Sequence, residues 1–112
     1  MFITVAGTQA HVAYPHQGDN PIRKATAIAY RLHEIELDEG HEWFQPSNLE
    51  ITTLDVDNPA HNVIPGSAFM RLNIRFNVHH KGQDLVDRVQ QIVEEEAPGS
   101  KLDAQISGEA FI

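Results

Sequence analysis

The segment "SAFMRLNIRFNV", Ser67 to Val78, alternates without a break, with Ala68, Met70, Leu72, Ile74, Phe76 and Val78 sharing one side. Successive side chains leave a strand in opposite directions, so a period of two over this length predicts a β-strand with one face on a core. Ser67, Phe69, Arg71, Asn73, Arg75 and Asn77 form the other, mostly polar face. A sheet covered on one side and open on the other is the frame that every other segment must fit.

The remaining segments fit it. "FITVA", residues 2 to 6, places Ile3 and Val5 on one side of a short strand ended by Gly7. A helix follows, with Asn20 as its cap, Pro21 in its first turn and Gly40 past its end. Ile22, Ala25, Ile28, Ala29, Leu32 and Ile35 recur at spacings of three and four and predict its buried stripe, leaving Arg23, Lys24, Arg31 and Glu34 solvated. In "NLEITTLDVDN" the apolar phase set by Leu49 and Ile51 breaks at Thr52 and Thr53 before Leu54 and Val56, which predicts a bulge. "QDLVDRVQQIVEEEAPG" reads as a second helix that buries Leu85, Val86, Val89, Ile92 and Val93 and stops at Pro98 and Gly99. "KLDAQIS" is a last strand, with Leu102, Ala104 and Ile106 in phase.

The order β, α, β, β, α, β predicts an α+β, ferredoxin-like sandwich: a four-stranded antiparallel sheet with two helices on one face. Residues 1–112 are read as one domain, a length sufficient for one hydrophobic core. Arg71, Asn73 and Arg75 are expected on the open face, away from the helices.

Charge and composition narrow the function. Eight Lys and Arg against 16 Asp and Glu give a formal net charge of −8, which repels phosphate backbones, so no nucleic-acid partner is expected. There are no cysteines to form disulfides or act as nucleophiles, which fits a reducing cytoplasm. No apolar run approaches the ~20 residues of a membrane helix, and no basic segment leads into an apolar one at the N-terminus. A cytoplasmic chain without a membrane partner is expected.

Seven histidines raise the question of a metal, and spacing answers it. His11 and His16 are not one helical turn apart, and an odd separation in a strand sends them to opposite faces. Neither has a carboxylate neighbour to complete a ligand shell, and His79 and His80 are adjacent residues that point apart. No metal site is expected in this chain. Ser47, Ser67, Ser100 and Ser107 lack a nucleophile elbow, and there is no glycine-rich phosphate loop. In "HNVIPG" Pro65 and Gly66 read as a turn that leaves Asn62 at its mouth, either to cap that turn or to meet a ligand. Tyr14 and Pro15 either end a strand or belong to a site.

"GTQAHVAYPH", the "NP" of Asn20 and Pro21, "FQPSNLEIT", "NVIPG" and "RLNIRF" together resemble the dimerisation or lid domain of the dinuclear zinc amidohydrolases of aminoacylase and carboxypeptidase G type. The resemblance covers essentially the whole chain, and the wording of "HVAYPH" and "HNVIPG" is nearest to the desuccinylase branch. That branch usually has Gly before the first His, where this chain has Ala10.

The resemblance implies a larger two-domain enzyme from which this insert is excised, with abrupt ends at Phe2 and Ile112. Two zinc ions, or cobalt, and the water-activating Glu would lie in the absent catalytic domain. The insert would pair with its twin as a homodimer. His11 would reach into the partner's active site and donate a hydrogen bond to the oxyanion formed during amide hydrolysis. Tyr14 and Asn62 would contact the substrate from the same subunit, and Arg75 would bind a substrate carboxylate through its planar fork. His16 would be structural. The insert alone is expected to be inactive. Two other readings stand beside this one: another N-acyl amino acid amidohydrolase or dipeptidase of the same family, and a free-standing module that holds a small carboxylate on the open face.

Overall fold

The structure, a computed structural model, describes residues 1–35, 47–76 and 82–105. Six strands and two helices follow in the order β1 (Phe2–Ala6), β2 (Ala10–His11), α1 (Pro21–His33), β3 (Asn48–Asp55), β4 (Val63–Ile64), β5 (Ser67–Arg75), α2 (Gly82–Glu96) and β6 (Lys101–Asp103). The main sheet has the order β3-β5-β1-β6 with every pair antiparallel, so the ferredoxin-like expectation holds. β2 and β4 form a separate two-stranded ladder that no sequence period announced.

Alternation in β5 decides the sheet's dry face. Ala68 and Met70 are fully buried and Leu72 nearly so, while Arg71, Asn73 and Arg75 are exposed on the other side. Ile3 and Val5 of β1 join them, and the buried stripes of α1 (Ala25, Ile28, Leu32) and α2 (Val89, Ile92, Val93) close over them. Burying each such large side chain is worth about 1.5–3 kcal/mol relative to exposure. On the open face Phe2 stacks on Phe69 at 6.1 Å between ring centroids, and the Arg71 guanidinium lies 5.9 Å from the Phe2 ring.

The bulge falls where the apolar phase breaks. Ile51 pairs with Leu72 and Leu54 with Met70, with the register shift between Ile51 and Thr53, so both apolar pairs stay on the helix side. Leu54 is nevertheless 49% exposed, because β3 is an edge strand and Leu54 lies at its margin.

Several details differ from expectation. Helix α1 begins as predicted, with the Asn20 side chain accepting from the Ile22 N–H at 3.0 Å, but it ends at His33 with Glu34 as its C-cap. Ile22 leaves the buried stripe and is 39% exposed, since Pro21, Ala25, Ile28 and Leu32 form the buried side and Ile22 lies about 90° round the helix from its centre. Lys24 and Arg31 are not simply solvated: Lys24 bonds to Ala6 and Asp19, and Arg31 bridges to Glu95 and Glu96 of α2. Val86 is only partly buried, and Ala104 is exposed beyond the end of β6. Pro98 and Gly99 do follow α2, Gly99 with φ of 86°. Gly40, Asn77, Val78, His79, His80, Ile106 and Ser107 lie outside the described residues. No helix among the described residues is long and apolar enough to cross a membrane.

Candidate functional site

Beyond Gly7 the chain leaves the sheet, makes a loop and returns to start α1. Thr8 and Asp19 close its base with two backbone hydrogen bonds of 2.8 and 3.0 Å. Inside the loop, Ala10 and His11 pair with Ile64 and Val63, so β4 splints one arm. Val12 donates its N–H to the Asn62 carbonyl at 3.0 Å, and a single 3₁₀ turn over Pro15–Gln17 folds the tip back. Among the described residues no non-glycine residue has a positive φ, so hydrogen bonds rather than backbone strain shape the loop.

Close packing also fixes the returning arm. A Cβ on Gly18 would meet the Ala10 methyl at 2.8 Å, the Thr8 carbonyl at 3.1 Å and Ile64 Cδ1 at 3.3 Å. The methyl that Ala10 carries in place of a glycine hydrogen therefore packs where Gly18 has no side chain.

His11 is exposed, and its Nδ1 accepts a hydrogen bond from the Ala13 N–H at 3.0 Å. A neutral imidazole with Nδ1 as acceptor carries its proton on Nε2, the tautomer this hydrogen-bond pattern assigns. The Tyr14 ring lies 6.1 Å from that of His11, tilted by 56°, and 6.5 Å from His16, which meets it edge-on. Tyr14 is 54% exposed and Val12 48%. His16, on the 3₁₀ turn, is exposed as well.

Asn62 stands beside this loop but not in the turn predicted for it. The turn is at His61 and Asn62, followed directly by β4; Pro65 is buried and the Gly66 carbonyl accepts from the Gly7 N–H at 2.9 Å. His11, Tyr14 and Asn62 are thus brought together at one end of the domain. Arg75 is not with them. It ends β5 opposite Asn48, eight residues from Ser67, roughly 27 Å along the strand at ~3.3–3.4 Å per residue. Sequence reading missed Gly18, Asp19 and Lys24 as residues that shape the loop; "HQGD" held a signal in a glycine two positions after His16.

No group of three or more His, Asp or Glu among the described residues could hold a metal ion. The loop can offer an imidazole N–H, a phenol and an amide to something outside the domain.

Comparison with known proteins places the chain. A family profile described as "Peptidase dimerisation domain" matches residues 1–101. The chain belongs to the peptidase dimerisation domain family. That agrees with the resemblance carried by its motifs. Among relatives of this dimerisation domain, the chain is 54% identical over 109 residues to a succinyl-diaminopimelate desuccinylase of Gluconacetobacter diazotrophicus, covering 97% of this chain and 28% of that protein. It is 55% identical over 112 residues to the desuccinylase of Rhizorhabdus wittichii, covering all of this chain and 30% of that one. The dimerisation domain therefore spans less than a third of the length of these relatives.

Solved structures show the same fold at lower identity. An aminobenzoyl-glutamate utilization protein from Klebsiella pneumoniae superposes with a TM-score of 0.70 at 24% identity, over 85% of this chain and 23% of that one. A hydantoinase/carbamoylase family amidase from Burkholderia vietnamiensis gives 0.67 at 23% identity, over 97% and 27%.

Proposed function

We propose that this domain is the pairing and active-site-completing part of a longer succinyl-diaminopimelate desuccinylase, an enzyme that hydrolyses N-succinyl-diaminopimelate to succinate and diaminopimelate. The relatives at 54% and 55% identity carry that name over the whole of this domain, which favours the desuccinylase over other amidohydrolases. The single observation that carries the mechanism is the His11 hydrogen bond: with Nδ1 satisfied by Ala13, Nε2–H is left as a donor on an exposed loop.

In this reading Nε2–H of His11 donates to the amide oxygen of a substrate held by the partner subunit as that oxygen gains negative charge. A fixed donor aimed at developing charge stabilises the transition state more than the ground state, and removing one costs roughly 10²- to 10³-fold in turnover. Tyr14 and Asn62 contact the same substrate. Arg75 lies a strand length away, farther than such a substrate extends, so it serves a different active site from the His11 of its own chain. Its guanidinium suits bidentate pairing with a substrate carboxylate. Zinc and the water-activating carboxylate belong to the rest of the longer enzyme, which acts in the cytoplasm in making lysine and cell-wall precursors.

Pairing uses the β3 edge. The opposite edge, β6, is a three-residue strand bearing Lys101 and Asp103, whereas β3 is eight residues long, free of Lys and Pro, with Leu54 half exposed. The longer edge offers more unpaired backbone groups to a second copy across a two-fold axis, with the bulge near Thr52 and the charges of Glu50 and Asp55 occupying only part of it. The test is His11→Ala in the longer enzyme: kcat for N-succinyl-diaminopimelate falls roughly 10²-fold or more with KM little changed. An unaltered kcat removes the proposed role.

A further inference from the structure

The His11 loop has a clamp that is not part of the loop's own chemistry. Lys24 lies in the first turns of α1, and its side chain is only 17% exposed. Its Nζ donates to the Ala6 carbonyl at 2.8 Å and to Asp19 Oδ2 at 2.5 Å. Ala6 is the last residue of β1, and its N–H donates to Ser100 Oγ at 2.9 Å. Asp19 is the residue whose backbone closes the loop base against Thr8. One ammonium group thus ties together the strand from which the loop departs, the residue at which it returns and the helix that follows.

We propose that Lys24 is a positioning residue that sets the angle of the His11 loop relative to the sheet. A charge-assisted pair of bonds on a side chain held by its own helix restrains the loop base in a way that two backbone bonds at an exposed turn do not. Gly7 shows how closely this junction is packed: a Cβ there would lie 2.5 Å from Pro21 Cδ and 2.6 Å from the Asp19 carbonyl, so the helix start and the loop base already touch the strand end. The clamp stands on the geometry of this chain. Its catalytic consequence rests on the role proposed above for His11.

The experiment has two arms. In the 112-residue chain, hydrogen exchange is followed by NMR for wild type, Lys24→Met and Lys24→Arg. Lys24→Met is expected to speed exchange of the Thr8, Val12 and Asp19 amides about tenfold while the Ile3, Met70 and Val89 amides keep their rates, and Lys24→Arg to restore most of the protection. Unchanged loop amides, or loop and core accelerated by the same factor, would overturn the clamp. In the longer enzyme, Lys24→Met is expected to lower kcat by about 10-fold to 10²-fold with KM within about twofold, since misplacing a reacting group by an ångström costs that much. Adding Lys24→Met to His11→Ala should cost nothing more, and a further loss there would show that Lys24 acts by another route. If His11→Ala leaves kcat intact while Lys24→Met still loosens the loop, the catalytic reading fails and the clamp stands.

Discussion

The imidazole of His11 is held by the backbone of Ala13, two residues on, through an Nδ1 acceptor bond of 3.0 Å. That short-range contact fixes ring orientation and tautomer together, without any partner from the core. It predicts that the nitrogen chemical shifts of neutral His11 are those of an Nε2–H imidazole, while a histidine without such a bond averages its two tautomers. Averaged shifts at His11 would remove the fixed donor.

Ala10 and Gly18 make a second prediction, because the methyl of one fills the space the other leaves open. Gly18→Ala should destabilise the chain by about 1–3 kcal/mol, the usual range for overpacking, and shift the amide resonances of His11 and Val12. Ala10→Gly in the same molecule should recover part of that loss, because the 2.8 Å contact disappears while those to Thr8 and Ile64 remain. Additive effects of the two substitutions, measured by urea unfolding, would contradict the packing account.

Helix α1 provides a paired test of burial. Ile28 is fully buried and Ile22 is 39% exposed, although the three- and four-residue spacing of the sequence placed both on one apolar stripe. Ile28→Ala should cost about 2–5 kcal/mol and Ile22→Ala less than about 0.5 kcal/mol. Equal losses would mean that the face of α1 carrying Ile22 is covered after all.

The β3 edge predicts a change in assembly rather than stability. Leu54→Lys places a charge on the half-exposed margin of that strand. Sedimentation at micromolar concentration should show a dimer for wild type and a monomer for the variant, with a similar unfolding midpoint. A wild-type monomer, or a dimer indifferent to Leu54, would contradict pairing through this edge.

What the sequence made legible follows from how many residues a pattern needs. The nine residues of β5 repeat a two-residue period often enough to assign each side chain to a face, and the bulge near Thr52 shows as a break in such a period. β2 and β4 have two residues each, and no period exists in two residues. The cap at Asn20 was readable because capping is local. The clamp at Lys24 was not, because Ala6 and Asp19 reach it only once the loop has closed; on the helix alone it is one more cation on a polar stripe. Arg75 was assigned to the correct face, yet its distance from His11 depends on strand length and direction, which the face pattern does not contain. Pro65 and Gly66 looked like a turn by composition; Gly66 is a bend whose carbonyl accepts from Gly7, Pro65 is buried beside it, and the turn itself is at His61 and Asn62.

The central claim is that His11 works in a neighbour's active site, and subunit mixing tests it most directly. One full-length enzyme carries His11→Ala with an intact metal centre and is slowed roughly 10²-fold or more; the other keeps His11, lacks its metal ligands and is inactive. After subunit exchange, verified by mass, the account predicts that N-succinyl-diaminopimelate hydrolysis returns, because the intact metal centre borrows His11 from its partner. Exchanged heterodimers no more active than their parents would contradict it.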